Sequence, residues 1–138
     1  MTSRDEAVVE KVRHWMMLAD DDLRVAEHTL GMTDACPYRL VAFHAQQCAE
    51  KYLKAYLVFL GVDFPFTHNI ARLVELVSEH TDWGRALQDA EELTPFAITA
   101  RYPGVDDPVD ESEARRAVKI AAEVQGTIGA ALRKSGVV

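Results

Sequence analysis

Apolar residues recur at Val8, Val12, Trp15, Met16, Ala19, Leu23, Ala26 and Leu30, steps of three and four that only a helix can turn into one continuous face. This spacing predicts a long amphipathic helix over about Asp5–Leu30, closed by Gly31 and the Thr33–Asp34 turn. Pro37 suits the first position of a second helix, where its missing N–H would be unpaired anyway, and that helix runs to about Leu60 and stops at Gly61. After the loop GVDFPFTHN, Thr67 is the expected cap of a third, shorter helix with Ile70, Leu73, Val74 and Val77 inward, ending near His80. A fourth segment from about Gly84 carries Leu87, Ala90, Leu93 and Phe96. Pro95 either kinks it or, with Thr94 as cap, begins a separate turn to Arg101. The loop RYPGVDDPVDE cannot be helical throughout, and Asp110 or Ser112 then caps a last helix with Ala114, Ala117, Val118, Ala121, Val124, Ile128 and Leu132 inward. Gly126 and Gly129 weaken that helix and leave room for a neighbour to come close. No segment alternates like a strand. The fold expected is all-α, an up-and-down four-helix bundle with an extra short helix, one domain over residues 1–138.

Composition narrows the function. At 49% hydrophobic and 27% charged the chain can bury a real core, and its net charge of −7 repels nucleic acid and anionic membrane on average. Any nucleotide or RNA site must be a local basic pocket. Cys36 and Cys48 lie in no metal or disulfide pattern, the N-terminus lacks the features of a signal peptide, and the longest apolar run is too short to span a bilayer. The expectation is a cytoplasmic protein without metal or cofactor.

The second helix holds the puzzle. FHAQQCAEKYLKAYL reads as core, yet His44, Gln47, Glu50, Lys51 and Lys54 fall within roughly a third of its circumference. Such a line is either a plain solvent face with Glu50 and Lys54 as an i,i+4 pair, a ligand site, or the seam of a homodimer. His44 also reads as a structural histidine bonded across the bundle. The run Asp20–Asp21–Asp22 points in three directions on a helix, which suggests a solvated face rather than a metal site. His14 and His28 sit singly without a motif, and Tyr38 and Tyr52 read as amphipathic core residues.

The order of HAQQ-x-x-EK-x-LKA, the FPFTHNIARLVEL segment and the late TARYPG resembles the HEPN domain family of small prokaryotic helical proteins. The resemblance implies a helical bundle that commonly dimerises. It also implies a place beside a minimal nucleotidyltransferase in a two-component, toxin–antitoxin-like pair, with a proposed nucleotide ligand. The family's recurrent polar positions match His44, Gln47, Glu50, Lys51, Lys54, His68, Arg101, Tyr102 and Pro103. In one site, Lys51, Lys54 and Arg101 would neutralise phosphate, Gln47 and His44 would hydrogen-bond, and Tyr102 would stack on a base. The bland reading of Arg101 is a helix C-terminal cation, and of Tyr102–Pro103 a turn plug.

Many HEPN members are RNases with an Arg-x4–6-His motif, histidine acting on the ribose hydroxyl and arginine on the phosphorane charge. After Arg101 the chain reads YPGVDDPVDE and holds no histidine in reach. Arg39 and His44 fit the spacing, but five residues along one helix turn their side chains apart by roughly 140°. The weight therefore falls on a non-catalytic binding or interaction module, with a metal-independent RNase using His44 and Arg39 as the alternative and a purely structural homodimer as a further one.

Overall fold

A computed structural model of the chain describes residues 3–83, 85–99 and 108–137, and every regular element among them is helical. The helices are α1 (Ser3–Leu30), α2 (Tyr38–Leu60), α3 (Ile70–Ser78), α4 (Arg85–Ala90), α5 (Phe96–Thr99) and α6 (Glu111–Lys134), with a 3₁₀ turn at Glu91–Leu93. The all-α bundle expected from the sequence is the fold observed, and α2 is its central helix, packed against α1, α6 and α3. Contacts fix the direction of α1 against α2: Trp15 lies by Lys54, Asp20 by Tyr52, and Asp22 by His44 and Lys51. Numbers fall on one helix as they rise on the other, so the pair is antiparallel.

The core is built from the faces the periodicity defines. Val12, Ala19 and Leu23 of α1 meet Ala45, Ala49, Leu53 and Leu57 of α2, and Ile120, Val124, Ile128 and Leu132 of α6 close the other side. Alanines on both α1 and α2 let the two backbones approach closely, so longer side chains at the edges of the contact reach across it. Each buried leucine contributes about 1.5–3 kcal/mol relative to exposure, and Leu53 and Leu57 are wholly inaccessible.

Helix ends follow local chemistry, with two revisions. Gly61 ends α2 in the left-handed region at φ 72°, and its N–H and that of Val62 bond the last carbonyls of the helix. Asp110 caps α6 in a reciprocal capping box with Glu113, as one of the two expected caps. Asn69, not Thr67, caps α3: its side chain accepts from the Arg72 N–H, while the Thr67 hydroxyl braces the Asn69 N–H at 3.0 Å. Pro95 breaks the fourth segment, separating the 3₁₀ turn from α5. The Thr94 hydroxyl, expected to serve the turn after it, instead accepts from the Ile70 N–H at the start of α3. At Gly126 an added Cβ would meet nothing within 4 Å, and at Gly129 its nearest neighbours are Arg133 side-chain atoms, so neither glycine serves close approach of another helix.

Candidate functional site

The polar line on α2 is not a surface seam. Glu50 is 3% exposed, Lys54 6% and Gln47 8%, while His44 and Lys51 are half-buried. The line divides in two because its members span about 120° of the helix. His44 and Lys51 turn toward α1, and Glu50, Gln47 and Lys54 turn toward the loop between α2 and α3.

On the α1 side, Asp22 meets both His44 and Lys51. Its Oδ1 lies 2.9 Å from His44 Nδ1 and its Oδ2 2.5 Å from Lys51 Nζ. Asp20 accepts from the Tyr52 hydroxyl of α2 and, at 2.9 Å, from Gln125 Nε2 of α6, so one carboxylate ties three helices together. Burial pushes the Tyr52 phenol above its ordinary value, and the hydrogen bond to Asp20 adds to the shift. Burial likewise raises the Cys48 thiol, with Asp20 and Asp22 adding negative charge nearby.

This corrects the reading of the acidic run as a solvated face. The centre of α1's buried face passes through Val12, Ala19, Leu23 and Ala26, and Asp20 and Asp22 stand roughly 80° to either side of it. Two of the three directions therefore flank the core, and only Asp21 points away, exposed and loosely paired with Arg24 at 3.8 Å.

On the loop side, Glu50 is the hub. Its Oε1 lies 2.9 Å from His68 Nδ1 and accepts from Gln46 Nε2 at 3.0 Å, and its Oε2 accepts from Lys54 Nζ at 3.0 Å. Gln46, fully buried, also donates to the His68 carbonyl at 3.4 Å and accepts from Gln47 at 2.7 Å. Lys54 is shared with aromatic rings: its Nζ is 5.7 Å from the centroid of Trp15, 5.9 Å from Phe64 and 6.0 Å from Phe66. A buried lysine is thus compensated by one carboxylate and three ring faces, a combination that offsets much of its desolvation.

The structure therefore joins Gln47, Glu50, Lys54 and His68 in one network and His44 with Lys51 in another. Arg39 is exposed near the start of α2, five residues from His44 on the same helix, and the two do not converge. Arg101, Tyr102 and Pro103 lie outside the described residues. Sequence reasoning missed Gln46, Asp20, Asp22 and Gln125. For Asp20 and Asp22 the signal was their offset from the buried face of α1; for Gln46 and Gln125 no periodic signal existed. Among the described residues no group of His, Cys, Asp and Glu is placed to hold a metal ion, both cysteines are free, and no helix is long and apolar enough to cross a membrane.

The HEPN domain family model matches residues 12–129, and the chain belongs to the HEPN domain family. Among solved structures it is similar to TT1696 from Thermus thermophilus, with 25% identity and a TM-score of 0.68 over 86% of this chain and 96% of that one. It is also similar to ST0689, an archaeal HEPN homologue, with 25% identity and a TM-score of 0.65 over 92% and 98% of the two chains. No curated protein matches the chain.

Proposed function

We propose that this chain is a cytoplasmic, non-catalytic HEPN interaction module, a homodimer that partners a minimal nucleotidyltransferase in a prokaryotic two-component, toxin–antitoxin-like pair. The observation that carries this reading is charge compensation within the chain. Lys51 is committed to Asp22 and Lys54 to Glu50, so of the three cations expected to neutralise a phosphate the two among the described residues are already neutralised by the protein's own carboxylates. Opening either pair for a nucleotide would leave a carboxylate facing the incoming anion. The α2 line thus serves better as the organiser of the bundle than as a phosphate cradle, and a net charge of −7 disfavours polyanionic ligands on average. Co-expression with a minimal nucleotidyltransferase encoded beside it tests the partnership: the two should co-elute from a sizing column as one complex, and separate elution at micromolar concentration would count against it.

A second reading has one observation in its favour. Asp22 holds His44 by Nδ1, and the His44 side chain is 31% exposed, the arrangement of a carboxylate-oriented imidazole able to move a proton. On that reading the chain is a metal-independent RNase with His44 as its acid and base. Purified protein would then cleave RNA in EDTA and lose that activity in His44→Ala; inert protein across several RNAs removes the reading.

A further inference from the structure

Phe66 is 99% exposed, the most exposed of the large hydrophobic residues among those described. It is nevertheless not a loose side chain on a free loop. Two residues on, His68 is pinned to the core twice, by Nδ1 to Glu50 and by its carbonyl to Gln46, and its ring meets Phe66 edge-on at 6.2 Å. The buried network therefore anchors the loop that presents this apolar knob.

A hole lies beside it. Trp15, Val58 and Phe64 line a groove of about 710 Å³ between the first half of α1 and the end of α2, with Ala7, Glu10, Lys11 and His14 along its lip. The rings of Trp15, Phe64 and Phe66 all approach the one Lys54 ammonium, so knob and hole are neighbours on a single surface.

We infer that this surface is self-complementary, and that two copies of the chain pair about a two-fold axis with Phe66 of each seated in the groove of the other. The inference rests on the homodimer part of the proposed function and relocates its seam, since the α2 polar line is closed within the chain. Adjacency of knob and hole is what a two-fold interface requires, because the same patch must supply both sides. Charge supports a second copy as the occupant. Lys11 on the groove lip and Asp63 on the Phe66 loop are both exposed, and neither joins an ion pair among the described residues. Reciprocal seating brings the Lys11 of one copy toward the Asp63 of the other, local attraction between chains that each carry −7 overall. A pre-set loop also lowers the ordering cost of association.

Sedimentation equilibrium tests the surface, with wild type, Phe66→Asp, Ala7→Trp to fill the groove, and the charge reversals Lys11→Asp and Asp63→Lys alone and together. Each dimer loses two rings, at about 30-fold apiece for a central anchor, so Phe66→Asp should weaken pairing about a thousandfold. Ala7→Trp should weaken it too, each charge reversal should weaken it, and the double reversal should restore it. A dimer that survives Phe66→Asp and Ala7→Trp overturns this surface while leaving the homodimer reading intact. A wild type that stays monomeric at every concentration overturns both, and single reversals that the double does not rescue overturn the two-fold register.

Discussion

Removing the Glu50 carboxylate is the perturbation with the largest calculable consequence. In Glu50→Ala the Lys54 ammonium, with its side chain 7% exposed, loses its carboxylate partner, and Gln46 and His68 lose the oxygen they share. Breaking a buried pair from one side costs about 3–5 kcal/mol. The ring faces around Lys54 offset about 1 kcal/mol of that, which leaves an expected loss near 3 kcal/mol. For a domain of this size that corresponds to a fall in melting temperature of roughly 10 °C. Thermal and urea unfolding by circular dichroism measure it, and the double variant Glu50→Leu/Lys54→Met supplies the control. With both charges gone no ion is left unpaired, although Gln46 and His68 still lack the Glu50 oxygen, so the double variant should recover part of the loss. A single-variant cost below 1 kcal/mol would refute the reasoning, because it would mean that Lys54 reaches water as easily as a surface lysine.

Two further outcomes follow from the α1 side. Asp22→Ala, which strands Lys51 and His44, should destabilise by about 1–3 kcal/mol, whereas Asp21→Ala, at an exposed position, should stay within about 0.5 kcal/mol; equal effects in urea unfolding would contradict the split of the acidic run. Stability should also fall in alkali. Cys48 and Tyr52 are both raised above their ordinary values of 9.0 and 10.0, so above those values the unfolded chain gives up protons that the folded one keeps. Their contribution is fully present below pH 9 and declines from there upward, and Cys48→Ala/Tyr52→Phe should flatten the decline in urea midpoints measured from pH 8 to 11.

How much of this was legible in the sequence depends on what a helical wheel can see. The apolar spacing of α1, α2 and α6 located the helices because each buries one face, and short-range chemistry narrowed the cap of α6 to Asp110 or Ser112, of which Asp110 serves. The wheel also found His44, Gln47, Glu50, Lys51 and Lys54 as one line. It reports angles on a single helix, however, and cannot tell what other elements lay across that line. Here α1 covers one flank with Asp22 and Trp15, and the loop after α2 folds back to cover the other with His68 and Phe64. The same blindness hid Gln46, whose fully buried amide is held by a loop carbonyl and a carboxylate rather than placed by periodicity. For Asp20 and Asp22 the wheel was sufficient, since their offset from the buried face of α1 was there to be measured.

The α2 polar line is satisfied within the chain, and on the proposed function it binds no phosphate. Calorimetric titration of ATP into the wild-type protein and into Lys51→Ala/Lys54→Ala decides between an organiser of the bundle and a ligand site. No binding heat is expected with either protein. Micromolar binding to the wild type that disappears in the double variant would make the line a phosphate site instead.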